Sequence, residues 1–92
     1  MNKREALRET VLIAERCGMP DLPGSDLGLQ HLRVMLETVD GSAFSASKLG
    51  RWLGWAQCAV VASGIGVTLA EMKAINMKWA DDESPCEDHS AP

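Results

Sequence analysis

Lys48-Leu49-Gly50-Arg51-Trp52-Leu53-Gly54-Trp55-Ala56-Gln57-Cys58-Ala59-Val60-Val61-Ala62-Ser63, closed by Gly64-Ile65-Gly66, is the stretch that decides the fold. Apolar and polar residues do not alternate in it, so it does not read as a half-buried strand. Ser45 or Ser47 can cap a helix ahead of it, and Gly64 suits the left-handed position that follows one. The pattern predicts a helix running to about Ser63. From Trp52 to Ala70 there is no charged residue, which raises the question of a membrane span. Gln57, Ser63, Gly64, Gly66 and Thr68 interrupt that run, and the part before Ser63 is too short to span. A buried core helix is the better reading.

Small residues recur every fourth position along this helix, at Ala46, Gly50, Gly54, Cys58 and Ala62. Such a ridge lets another helix backbone approach closely. Each glycine inside a helix costs roughly 1 kcal/mol relative to alanine, so close packing is expected in return. Two readings stay open: packing within the chain, or a seam between chains. Leu49, Trp52, Leu53, Trp55, Val60 and Val61 cover the other faces, leaving only Lys48, Arg51, Gln57 and Ser63 as polar members. A helix apolar nearly all round wants burial on every side. A chain of 92 residues is one small domain, and short neighbouring helices can hardly cover it. A homo-oligomer is therefore expected. Ala46, Gly50, Trp52, Leu53, Gly54, Trp55, Cys58 and Ala62 form its candidate interface.

The flanks read as helices too. Residues 2 to about 17 place Leu7, Val11, Ala14 and Cys17 on one stripe, with Asn2 as cap and Glu5 able to reach back to it. Gly18, Pro20, Pro23 and Gly24 stop that helix. A second starts near Ser25 or Asp26, carries Leu29, Leu32, Leu36 and Val39, and ends at Asp40-Gly41-Ser42. Thr68-Leu69-Ala70-Glu71 fits a capping box for a last helix, with Val67 and Met72 placed as a hydrophobic staple. The expected fold is all-α, a small bundle of about four helices over residues 1–80, with the third helix central. Residues 81–92 are expected to be a disordered acidic tail.

Charge separates along the same boundary. The chain has nine Lys and Arg against thirteen Asp and Glu, a net of -4. Five acids and no base fall in 81–92, leaving the body with nine bases and eight acids, a net of +1. A near-neutral body favours association. The overall acidity argues against general nucleic-acid binding. Cys17, Cys58 and Cys86 are widely spaced, and charged residues fill the region where a signal peptide would be apolar. A reducing compartment is expected, with Cys17 and Cys58 as small buried hydrophobes.

Arg51 lies one turn before Trp55, and Lys48 one turn before Trp52. Lys48, Arg51, Trp55 and Gln57 are thus a candidate set for an anionic or planar ligand such as a nucleotide. The plainer reading, preferred here, has Arg51 reaching out of an apolar interface and Gln57 capping a buried carbonyl. His31 stands alone and reads as structural, and Cys86-x-x-His89 lacks a second pair, so no metal or cofactor is expected. No catalytic constellation is visible, and an enzyme is not expected. Helices three and four permit a helix-turn-helix, but Lys73, Asn76 and Lys78 are its only readers.

Arg51-Trp52-Leu53-Gly54-Trp55-Ala56-Gln57, then a glycine turn and Thr68-Leu69-Ala70-Glu71-Met72, resembles a motif in small, mostly uncharacterised proteins of tailed bacteriophages. The likeness covers about residues 48–78. It implies a phage-encoded accessory protein, cytoplasmic in an infected bacterium and directed at a host protein or defence system. The expected function is a non-enzymatic helical protein that oligomerises and binds a host protein. The alternatives are an oligomeric nucleotide-binding sponge and a DNA-binding regulator.

Overall fold

The computed structural model describes residues 1–80 and contains four helices: α1 (Lys3–Arg16), α2 (Leu29–Asp40), α3 (Ala46–Ala62) and α4 (Leu69–Lys78). No strand occurs among the described residues. The expected acidic tail, with Cys86 and His89, lies outside them.

Local chemistry sets most of the boundaries. The Asn2 side chain accepts the Glu5 N–H at 3.1 Å and starts α1. Glu5 does not reach back to Asn2 as expected, because its carboxylate takes the Arg8 guanidinium instead. The Asn2 N–H donates to the carbonyl of Trp79 at 2.9 Å, joining the start of α1 to the end of α4. Ser45, not Ser47, caps α3 through the Lys48 N–H. The capping box at α4 forms in both directions between Thr68 and Glu71, and both staple residues, Val67 and Met72, are buried.

The start of α2 differs from expectation. Ser25 accepts the Leu27 N–H and holds a turn, and the helix begins only after Gly28. There the preceding loop folds back across the helix. The Leu29 N–H donates to the Pro20 carbonyl at 3.0 Å, and a Cβ at Gly28 would lie 2.9 Å from that of Leu22. Only glycine allows this crossing.

Leu7, Val11 and Ala14 of α1 meet Leu32, Met35 and Val39 of α2 in one core with Leu49, Leu53, Ala56 and Val60 of α3. Met72 and Ile75 close it from α4. Each fully buried Leu or Met contributes about 1.5–3 kcal/mol relative to exposure. The third helix is not the sole centre: α1 also packs against all three others, and its largest contact is with α3. Ala6, Thr10 and Ala14 of α1 are fully buried at four-residue spacing. The small-residue approach within the chain is thus made by α1. Charged pairs lace α1 to α2, with Arg8 on Asp40 at 2.8 Å and Arg33 on Glu15 at 2.8 Å. Arg4 donates to the carbonyls of Val39 and Ser42 and satisfies the end of α2. No helix among the described residues is long and apolar enough to cross a membrane.

Candidate functional site

The ridge on α3 divides into a covered and an open half. Ala46 is buried and Gly50 half-buried, with the Lys3 side chain 3.7 Å from where a Cβ would sit. Gly54, Cys58 and Ala62 are exposed, and among the described residues a Cβ at Gly54 would meet nothing within 4 Å. The bundle therefore does not use Gly54. The expectation of buried cysteines is overturned for both described ones. Cys17 sits at the end of α1 as the chain leaves the bundle, and Cys58 lies on the face of α3 opposite Ala56 and Val60.

Leu53 is buried in the core, and Trp52 is half-buried with its ring edge-on to Phe44, centroids 4.9 Å apart. Neither they nor Ala46 belong to an open interface. The accessible members are Gly54, Trp55, Cys58 and Ala62, with part of Gly50. Trp55 is 48 % exposed, and Leu22 and Leu27 on the neighbouring loop are similarly open. Met19, Pro20, Leu22, Leu27, Ala59 and Ala62 form an apolar notch of about 170 Å³ beside the ridge. Open apolar surface of this kind, next to a helix face without bulk, is what an incoming helix can cover.

The expected ligand set does not assemble. Gln57 turns inward, one turn after Leu53, and donates to Asn76 at 2.8 Å and to Thr10 at 3.3 Å. Asn76 returns a bond to the Gln57 carbonyl oxygen at 3.1 Å. This amide pair pins α4 to α3 and α1, so Gln57 caps no backbone carbonyl. Lys48 places its ammonium 4.3 Å from the centroid of Phe44 and 5.7 Å from that of Trp52. Among the described residues no cation stacks on Trp55. Its indole N–H instead donates to the Asp26 carbonyl at 3.1 Å.

Arg51 and Trp55 do share a groove of about 370 Å³ between α2 and α3, walled by Trp52, Met35, His31 and Asp26. The His31 imidazole is 3.7 Å from the Asp26 carboxylate. Phe44 was discoverable from its four-residue spacing to Lys48, whereas no sequence signal connects Asp26 with Trp55. Among the described residues no group of three or more His, Cys, Asp or Glu side chains is placed to hold a metal ion. Of the three DNA readers, Asn76 is held by Gln57 and Lys78 donates to Glu9 at 3.0 Å, leaving Lys73. That carboxylate also accepts the Trp79 indole N–H, and the Lys78 bond foremost holds Glu9 below the ordinary carboxylate range. Comparison with protein-family models, curated proteins and solved structures finds no match.

Proposed function

We propose that this chain acts by binding proteins. It is a phage-encoded helical accessory protein that self-associates through the outer face of α3 and engages a host protein, countering host defence or redirecting host function. Gly54 carries the reading. It costs its helix about 1 kcal/mol, and among the described residues nothing lies within 4 Å of where its Cβ would be. A backbone from another chain passing over Gly54, Cys58 and Ala62 supplies the missing reason, with Trp55 and Leu27 as flanking anchors.

Sedimentation velocity at micromolar concentration tests the self-association. The wild-type chain is expected as a dimer or larger, and Cys58→Arg as a folded monomer, because the added side chain points to open solvent. A wild-type chain that is folded and monomeric overturns the seam. For the host partner, cross-linking in infected cells should capture one defined host protein with wild type and lose it with Cys58→Arg. Capture unaffected by the substitution removes α3 from the partner site.

A further inference from the structure

The α2–α3 groove carries features that the packing of the bundle does not use. Arg51 stands on its rim, exposed and without a hydrogen bond or ion pair to any other described residue. Arg4, Arg8 and Arg33 all have acceptors. Three residues before Arg51, on the same helix face, the Lys48 ammonium lies over Phe44 and Trp52 and is exposed to solvent. The ionisable groups on the α2 side are Asp26 and His31, which face each other at 3.7 Å. Among the described residues, two cations on one rim thus stand against one carboxylate at the other wall. The α3 rim is positive, and a phosphate, with its double charge and several acceptor oxygens, complements it.

The walls define the rest of the ligand. Trp52 is steadied by the edge-on ring of Phe44, and Trp55 by its bond to the Asp26 carbonyl. Both indoles line the groove, and Trp55 is about half open to solvent. A planar ring laid on Trp55 meets a surface already in place, so little ordering has to be done on binding. Arg51 and Trp55 are four residues apart, about 6 Å along the helix axis. The ring and the anionic group of the ligand are therefore separated by a similar span, rather than directly bonded. The groove volume of about 370 Å³ falls at the lower end of small-molecule sites, which run from about 300 to 1,000 Å³. That is room for one ring system and one phosphate, and the Asp26 carboxylate disfavours a second anionic group at the far end. We propose that the α2–α3 groove binds a nucleoside monophosphate, with the phosphate on Arg51 and Lys48 and the base on the Trp55 indole. Gln57, turned into the core, takes no part. Every group invoked belongs to one chain, so the site is complete without the α3 seam.

The test titrates the isotope-enriched full chain with AMP and follows the indole N–H signals. Those of Trp52 and Trp55 should shift and saturate at millimolar concentration, while that of Trp79, bonded to Glu9 outside the groove, stays in place. Adenosine and inorganic phosphate, at the same concentrations, should each bind much more weakly, because neither engages both halves of the site. Naphthylacetate, a planar ring with a carboxylate, should also bind more weakly than AMP. Arg51→Gln, at an exposed position, should weaken AMP about tenfold through loss of a charge-assisted hydrogen bond. Trp55→Leu, read at Trp52, should weaken it about fivefold through loss of stacking. No saturable shift at Trp55 overturns the proposal, as does a Trp79 shift that follows the same curve. Binding of adenosine, phosphate or naphthylacetate as tight as that of AMP overturns it too, and so does unchanged binding in Arg51→Gln. The titration is repeated on Cys58→Arg, where unchanged affinity is expected. Affinity lost there would move the site to the contact between chains and overturn its placement within one.

Discussion

Replacing Gly54 by alanine should stabilise the isolated bundle. Alanine exceeds glycine by about 0.8–1.0 kcal/mol in a helix interior. That gain meets no steric opposition among the described residues, where a Cβ at Gly54 has no neighbour within 4 Å. For a domain of this size it corresponds to a rise in Tm of about 3–8 °C. Melting should be followed by circular dichroism over a concentration series, because self-association makes Tm depend on concentration. The rise should be full at the lowest concentration and shrink as concentration increases, since the new methyl intrudes on a helix passing over Gly54. Gly64→Ala is the opposing control. Its φ of +78° is one that side chains avoid, so it should lose stability by about 1–2 kcal/mol. A Gly54→Ala chain that melts no higher than wild type at the lowest concentration would refute the claim that the bundle leaves this position open.

Three further outcomes follow from the packing. Asn76→Ala leaves the buried amide of Gln57 with an unpaired oxygen, and should cost about 1–3 kcal/mol in denaturant unfolding. Replacing both amides by leucine should recover much of that, and a single-variant cost near zero would mean that the pair is idle. Glu9 titrates below its ordinary value of 4.5 because Lys78 and then the Trp79 indole bond its charged form. Its contribution, about 0.2–1 kcal/mol for a part-exposed pair, is complete above that ordinary value and vanishes as pH falls through the lower folded one. Glu9→Gln should therefore lower stability at neutral pH and flatten the acid limb of the stability curve. An acid limb identical to wild type would contradict this. Cys17 and Cys58 are both exposed and should react with a maleimide in the native chain. At concentrations where the chain associates through α3, Cys58 alone should become protected, and equal rates at all concentrations would argue against the seam.

Four helices were legible because their ends are written in short spans. Thr68 and Glu71 form their box within one turn, and Gly64 carries its own stop. The start of α2 was not, because a loop crossing from Pro20 and Leu22 sets it rather than the capping residues beside it. Spacing gave the ridge on α3 but not its neighbour. Small residues state that a helix can come close, and Ala6, Thr10 and Ala14 on α1 are the set the bundle uses. The inward turn of Gln57 was available from its place one turn after Leu53 and two after Leu49, and its chemistry drew attention away from that face. The groove partners of Arg51 come from α2 and its approach loop, a pairing that only the folded chain reveals.

The amide pair and the Asn2–Trp79 bond also bear on when the molecule becomes whole. Thr10 and Gln57 are synthesised before Asn76, and the partner of Asn2 lies 77 residues downstream. A chain in which α4 has not docked is three helices with an open flank, its inward Gln57 amide without Asn76 and Val67 not yet covered by Met72. Synthesis adds about 5–20 residues per second, far slower than a helix forms. Until α4 docks, that flank is open to solvent or to a second copy of the chain.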